Sequence, residues 1–428
     1  MTPWREQALP QGGHEVDLLR GGDALFPAME QAIDRAEAEV WLASYIVHTD
    51  EASQRILQAL LRADRRGVRV RVVVDGFGSR AALPWWQQQL SGSRVALAVF
   101  RPIDRWWHWL QPGQLRRLYH KLCVVDDATA FVGGINLLDD RLDLNHGPLD
   151  TPRLDFALGL RGPVVGEVQH TVRRTWTRAW LGHEVTEEWQ TLLLAPEPLQ
   201  RARRWLRARW NAWRGTRAEL DRRRQQRQEA EGDERPVRLA FVRRDNLSQR
   251  HAIEREYLLA LRDAREQADL ICPYFYPSAR LLRALHRAAK RGVRIRLLLQ
   301  GRFDYRLAEM AARALYVDLL QRGVRIFEYR AAFLHAKVAQ VDGHWCTVGS
   351  SNLDPTSLVL NLEANVVAWD RGLADRVRHA FDEALTGAEE IHPTTWLPGS
   401  QGLRGWLRRA LVGWVAQVYL RAAGGGPY

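Results

Sequence analysis

Residues 118–127 read LYHKLCVVDD, and residues 334–343 read LHAKVAQVDG. Each stretch places His, Lys and Asp beside an apolar run that is typical of a β-strand. Lys337 minus Lys121 gives an offset of 216 residues. One such triplet would be a weak signal, whereas two in one register indicate that a structural unit is written twice in the chain.

Further positions repeat with the same spacing. The offset of 216 relates Lys121 to Lys337, Asp126 to Asp342, and Asn136 to Asn352. The asparagines end the segments FVGGIN and TVGSSN, so that each triplet is followed by the pattern G-[GS]-x-N. An acidic residue then opens the next strand in each copy, Asp155 in the first and Glu363 in the second.

The segments before the triplets repeat as well. Residues 62–80, RADRRGVRVRVVVDGFGSR, resemble residues 287–305, RAAKRGVRIRLLLQGRFDY. In each, a basic helix end leads through a glycine into a β-branched strand, and Gly67 and Gly292 stand where a helix C-cap is expected. The pattern predicts an α/β protein whose two halves are related by a pseudo-twofold axis.

The chain has 428 residues, which is enough for two domains with real cores. Its 62 Lys and Arg against 50 Asp and Glu give a net charge of +12, which favours an anionic partner. Nucleic acid and an anionic membrane surface both satisfy this condition. The 18 tryptophans tilt the choice towards the membrane, because Trp and Arg both suit the headgroup layer, although Trp also fills protein cores.

Three cysteines, Cys123, Cys272 and Cys346, are far apart and form no CxxC pair. They indicate neither a disulfide framework nor a zinc site, and a reducing cytosol is the natural compartment. No uninterrupted apolar run is long enough to span a bilayer. We therefore expect membrane contact to be peripheral.

Four segments are expected. Residues 14–172 and 237–392 form the two halves, residues 173–236 form a helical insertion and linker rich in Arg and Trp, and residues 393–428 form a C-terminal segment. Within the last, residues 403–421 place apolar side chains on one helical stripe and arginines off it. This helix either packs on its own protein or lies in a membrane interface.

The duplicated residues suit phosphodiester transfer, which needs a nucleophile, a proton donor for the leaving alkoxide and cations around the phosphate oxygens. No metal or cofactor is required. We expect as catalytic residues His120, Lys121, Asp126, His335, Lys337 and Asp342. Asn136 and Asn352 are expected to donate to the substrate, and Asp155 and Glu363 to orient an imidazole, with Glu363 available for His335.

The motifs KLCVVDD, AFVGGINLLDD, LHAKVAQVDG and TVGSSNLDPTSLVLNLEANV resemble the phospholipase D superfamily. Over nearly the whole chain the sequence is similar to bacterial cardiolipin synthases that lack an N-terminal transmembrane hairpin. The resemblance implies two mixed-sheet halves and transfer of a phosphatidyl group, through a phosphohistidine, to the glycerol hydroxyl of phosphatidylglycerol. It also implies a peripheral position on the cytoplasmic side of the cell membrane. A phosphodiesterase acting on lipid or nucleic acid is the alternative enzyme.

The first triplet departs from the second at its histidine. Subtracting 216 from 335 gives Tyr119, and His120 follows one position later. In a strand, His120 would point away from the face that carries Lys121. A bulge could return His120 to the site. Alternatively, Tyr119 lies in the site and His335 acts alone, or the chain is a degenerate member kept for binding.

Overall fold

The computed structural model of the chain describes residues 11–102, 116–193, 237–244, 249, 251–302, 306–354 and 361–392. The expected helix at 403–421 and the remainder of the segment 393–428 lie outside the described residues. Most of the Arg and Trp rich segment, residues 194–236, lies outside them too. In the described part of the chain, none of the helices combines the length and the apolar composition that crossing a bilayer requires.

The two halves repeat one order of strands and helices. The first half contains β1 (Gln11–Arg20), α1 (Gly21–Asp34), β2 (Glu39–Ser44), α2 (Glu51–Arg65), β3 (Arg69–Asp75), α3 (Leu83–Leu90), β4 (Ala96–Phe100), β5 (Leu122–Val125), β6 (Thr129–Gly133), β7 (Leu142–Asp143), β8 (Gly147–Pro148), β9 (Phe156–Arg161) and α4 (Val164–Leu193). The second contains β10 (Val237–Arg244), α5 (Ala252–Asp263), β11 (Gln267–Ile271), α6 (Ala279–Lys290), β12 (Arg294–Gln300), α7 (Arg306–Gln321), β13 (Arg325–Tyr329), β14 (Val338–Val341), β15 (Trp345–Gly349), β16 (Glu363–Trp369), α8 (Arg371–Leu385) and β17 (Ala388–Ile391).

Each half is a mixed sheet. The first has the order β4-β3-β2-β5-β6-β9-β1, and the second has the matching order β13-β12-β11-β14-β15-β16-β10 with β17 added at the edge. In both, the first three strands are parallel and the following strands are antiparallel. Strands β1 and β10 pair with each other and join the halves. The predicted fold class, two mixed-sheet halves related by a pseudo-twofold axis, is confirmed.

Local sequence signals fix the helix ends as expected. Asp50 caps α2 by accepting from the N–H of Ser53, and Ser278 caps α6 in the same way from Leu281. After these helices, Gly67 and Gly292 adopt φ angles of 89° and 93°. An added Cβ would meet no atom within 4 Å at either glycine, so the backbone angle is what requires glycine there.

Three apolar clusters hold the layers together. One lies between α1 to α3 and the outer face of the first sheet, and a second lies between α5 to α7 and the second sheet. The third is central, and it joins the inner faces of both sheets to α4 and α8. This central core is continuous across the halves. The segment before β5 lies against the segment before β16, and the segment before β9 lies against the segment before β14.

Candidate active site

Two short backbone contacts bring the repeated motifs together across the halves. Isolated parallel bridges pair Leu118 with Leu362 and Leu154 with Leu334. In the first, the N–H of Tyr119 donates to the carbonyl of Leu362 at 3.1 Å. In the second, the N–H of His335 donates to the carbonyl of Leu154 at 2.9 Å. Tyr119 and His335 therefore occupy equivalent positions in the two halves.

His335 is oriented by a carboxylate from the opposite half. Its Nδ1 lies 2.6 Å from Oδ2 of Asp155, whose side chain is 2% exposed. We expected Glu363 to be available for this role, and that expectation is wrong. Because the bridge to Leu154 sets His335 beside the start of β9, the adjacent Asp155 reaches the imidazole.

The residue at the second position of the G-[GS]-x-N pattern lies against the carboxylate in each half. Gly134 lies so close to Asp155 that a Cβ there would collide with the carboxylate. Ser350, which stands 216 positions later, instead donates its hydroxyl to Oε2 of Glu363 at 2.5 Å. Ser350 was not predicted as a site residue, although its register with Gly134 was visible in the sequence.

Both lysines are buried in the same cleft. Nζ of Lys121 donates to the carbonyl of Tyr119 at 2.9 Å, and Nζ of Lys337 donates to the carbonyl of His335. Burial lowers the pKa of Lys121, and the charge of Lys337 lowers it further. An ammonium group has three N–H donors, so with respect to the described residues each lysine keeps two for a bound anion.

The charges around His335 keep its ring neutral. Burial lowers the pKa of His335 well below its usual range, and the charges of Lys337 and Lys121 act in the same direction. Burial also raises the pKa of Asp155 to about 6, which still leaves the carboxylate ionised at neutral pH. With Nδ1–H donated to Asp155, the neutral imidazole keeps a lone pair on Nε2, as a nucleophile needs.

The two asparagines flank the cleft differently. Oδ1 of Asn136 accepts from the N–H of Ile46 at 3.3 Å, which leaves its amide N–H groups as donors. Oδ1 of Asn352 is buried and has no hydrogen-bond partner within the described ranges. Their role in substrate binding stays a prediction.

Tyr119 occupies the position in the first half that corresponds to His335 in the second. Its ring stacks on Tyr45 with centroids 4.1 Å apart, and Nζ of Lys121 lies 4.8 Å from its centroid. Burial raises the pKa of Tyr119, and so do the charge of Tyr45 and a side-chain hydrogen bond with it. Smaller contributions in the same direction come from Glu363 and Asp354. Tyr119 therefore contacts Lys121 and Tyr45, and the bridge between Leu118 and Leu362 sets its backbone beside the residue that precedes Glu363. Nothing in the sequence pointed to Tyr45.

His120 is buried outside this cluster. Neither ring nitrogen has a hydrogen-bond partner among the described residues, although the Glu363 carbonyl lies near enough to act on its pKa. Burial lowers the pKa of His120 to about 4, and the charges of Lys121 and Arg243 add to this effect. Among the described residues His120 makes no hydrogen bond with His335 or Asp155, and its catalytic role stays a prediction.

Asp126 and Asp342 were expected to be catalytic. In the structure, their carboxylates accept hydrogen bonds from backbone N–H groups. Oδ1 and Oδ2 of Asp126 accept from the N–H groups of residues 37–39 at 2.8 Å. Asp342 accepts from those of residues 265–267 at 2.8 to 2.9 Å. Since three backbone donors occupy each carboxylate, both residues fix the loop before a central strand.

Solved structures share this fold. A phosphatidylserine synthase from Haemophilus influenzae matches with a TM-score of 0.64 and 13% identity, covering 97% of this chain and 96% of that one. A polyphosphate kinase from Porphyromonas gingivalis matches with a TM-score of 0.51 and 14% identity, covering 89% of this chain and 49% of that one. At these identities the likeness concerns the fold alone.

Sequence relatives are much closer. Cardiolipin synthase B of Salmonella typhi is 36% identical over 377 residues, covering 88% of this chain and 80% of the relative. Cardiolipin synthase B of Escherichia coli K12 is 34% identical over 405 residues, covering 92% and 84%. The family model described as cardiolipin synthase, phospholipase D-like domain, matches residues 29–147 and 257–385, one match in each half. The chain therefore belongs to the cardiolipin synthase family of proteins with phospholipase D-like domains.

Proposed function

We propose that this protein is a cardiolipin synthase that transfers a phosphatidyl group from one phosphatidylglycerol molecule to a second, releasing glycerol. The observation that carries the proposal is the pair formed by His335 and Asp155, with Lys121 and Lys337 beside it. The relatives named cardiolipin synthase B support the choice of reaction.

The nucleophile in this proposal is Nε2 of His335. Asp155 holds the proton on Nδ1, so that the lone pair on Nε2 is available to attack phosphorus. Attack breaks the bond from phosphorus to the glycerol oxygen and forms a phosphohistidine. The glycerol hydroxyl of a second phosphatidylglycerol then attacks the same phosphorus, and His335 is released.

The cations of the cleft stabilise the charge that develops on phosphorus. Lys121 and Lys337 are both tied to backbone carbonyls two residues before them, which fixes each ammonium before substrate arrives. Donors held in place in a water-poor site lower the barrier without reorganising during the reaction. The amide of Asn136 adds a neutral donor.

The net charge of +12 supports a peripheral position on an anionic bilayer, where phosphatidylglycerol is found. We place this contact on the cytoplasmic side, in keeping with three cysteines that the structure shows as buried free thiols. Nucleic acid is not favoured as the substrate.

The test is incubation of the purified protein with phosphatidylglycerol vesicles, followed by mass spectrometry of the lipids. Cardiolipin together with an equal amount of free glycerol is the expected result. Phosphatidic acid in place of cardiolipin would identify a phosphodiesterase. Unchanged lipid, with the protein bound to the vesicles, would identify a binding protein that has lost catalysis.

A further inference from the structure

The two halves of the cleft present different side chains at equivalent backbone positions, an imidazole at 335 and a phenol at 119. Phosphatidyl transfer needs a group that protonates the leaving oxygen and later accepts a proton from the attacking hydroxyl. We propose, building on the reaction above, that Tyr119 backed by Glu363 carries this proton, and that His120 takes no part in the transfer.

The position of Tyr119 is the first support. Its backbone is held across the halves as the backbone of His335 is, and it precedes Lys121 by two residues as His335 precedes Lys337. Each lysine ammonium donates to the carbonyl of that residue. Tyr119 therefore stands where a group acting opposite His335 has to stand.

The surroundings of Glu363 are the second support. Ser350 holds Oε2, whereas Oε1 is buried and lacks a hydrogen-bond partner among the residues that the structure describes. A buried carboxyl oxygen without a partner is costly, so its retention calls for a reason. The Tyr119 N–H donates to the carbonyl of Leu362, the residue before Glu363, so the phenol and this carboxyl belong to adjacent backbone segments. Exchange of a proton with this phenol supplies the reason.

The electrostatics agree with this geometry. Burial raises the pKa of Glu363, so its carboxyl holds a proton more readily than an exposed one, while the charge of Lys121 opposes the shift. The raised pKa of Tyr119 keeps the phenol protonated until a strongly basic alkoxide forms beside it. By contrast, burial lowers the pKa of His120 to about 4, and an interaction with the backbone of Glu363 offsets only part of this effect, so the ring is neutral at pH 7.

The proton balance closes over the two half-reactions. In the first, Nε2 of His335 bonds to phosphorus, the glycerol oxygen leaves with the Tyr119 proton, and Glu363 passes its proton to the phenolate. In the second, the acceptor hydroxyl bonds to phosphorus and gives its proton to Tyr119, which returns one to Glu363. The bond from phosphorus to Nε2 breaks, and all three residues regain their starting states.

The experiment compares two donors in vesicles, phosphatidylglycerol and phosphatidyl-p-nitrophenol. The nitrophenolate leaves without a proton, so the initial burst of its release reports attack by His335 alone. We expect Tyr119→Phe and Glu363→Gln each to slow glycerol release about 100-fold, which is within the range of general acid catalysis, and to change the burst rate less than about threefold. His120→Leu is the matched control and should keep wild-type rates with both donors.

A second substitution guards against a folding defect. Tyr119→His places an imidazole at the equivalent position and should recover glycerol release relative to Tyr119→Phe. Equal loss with both donors, full activity of Tyr119→Phe, no recovery in Tyr119→His, or loss of glycerol release in His120→Leu would each overturn the inference. A wild-type protein that converts neither donor would overturn the proposed function itself, and the inference with it.

Discussion

Tyr119 and His335 each donate a backbone N–H to a carbonyl of the opposite half, at 3.1 Å and 2.9 Å. These hydrogen bonds fix the main chain and are independent of the side chain that follows. The difference between the halves therefore lies in an imidazole on one side of the cleft and a phenol on the other.

Substitution of the imidazole should remove the chemistry. We expect His335→Ala to lower cardiolipin formation by at least about 10³-fold, because the residue is the proposed nucleophile and is oriented by Asp155. Mass spectrometry of phosphatidylglycerol vesicles measures this loss. His344→Ala, which removes an exposed histidine nine positions later, should keep full activity. Turnover of His335→Ala at the rate of His344→Ala would contradict the assignment.

The charge of Asp155 should set the acid limb of the pH profile. Its pKa is raised to about 6, so kcat/KM should fall as the pH is lowered through 6 and the carboxylate gains a proton. Asp155→Asn should lower kcat about 10²-fold or more and remove this limb, because the amide does not titrate. Asp150→Asn, an exposed change in the preceding loop, should match the wild type. If the acid limb of the pH profile persists in Asp155→Asn, then a group other than Asp155 titrates there.

The buried ring of His120 should cost stability and contribute nothing to turnover. Leu carries no polar atoms, so His120→Leu removes two ring nitrogens that lack partners within the described ranges. We expect the free energy of unfolding to rise by about 1 kcal/mol. Urea unfolding measures this change, with His344→Leu as the exposed control. A clear decrease in stability would show that the ring has a partner that matters.

Asp126 and Asp342 should matter for folding and not for the chemical step. Each accepts from three backbone N–H groups and has a positive φ, 52° and 50°, which Asp tolerates better than Ala. We expect Asp126→Ala or Asp342→Ala to lower the free energy of unfolding by about 3 kcal/mol. Activity per folded molecule should be unchanged, and the Asn variants should lose less stability. A fall in kcat at full stability would instead give these carboxylates a catalytic role.

The sequence of residues 403–421, which lie outside the described residues, predicts binding to anionic membranes. Apolar burial would drive insertion, and each arginine near the surface would add about 1 kcal/mol of attraction. A chain that ends at residue 402 should float poorly with phosphatidylglycerol vesicles. Zwitterionic vesicles are the control, since the full chain should bind them less. Undiminished flotation of the shorter chain would show that these residues are not needed for membrane binding, which favours packing against their own protein.

The fold could be predicted because a duplication is visible in one sequence. The offset of 216 residues between Lys121 and Lys337 required both motifs to occupy equivalent places, and the matching strand orders of the two sheets show that they do. The glycine caps at positions 67 and 292 were also predictable, because a backbone with positive φ selects glycine by itself.

The partners of the site residues were not predictable in the same way. Sequence order suggested that Glu363 orients His335 within one half. The backbone bridge between Leu154 and Leu334 instead places His335 beside Asp155, which orients it. Which carboxylate reaches an imidazole depends on contacts between segments about 180 residues apart, and one sequence carries no direct signal of such contacts. Tyr45 was missed for the same reason, since only the fold stacks it on Tyr119.

The reach of Asp155 across the molecule has an evolutionary consequence. If both halves descend from one ancestor, that ancestor could pair an imidazole with a carboxylate in this way only as a dimer. In the fused chain, the imidazole of one half still depends on the carboxylate of the other half. The backbone bridges set position 119 beside 363 and position 335 beside 155, so each of these pairs is built from both halves. Because His335 takes its carboxylate from the first half and not from its own, a tyrosine at 119 is compatible with an intact pair of His335 and Asp155.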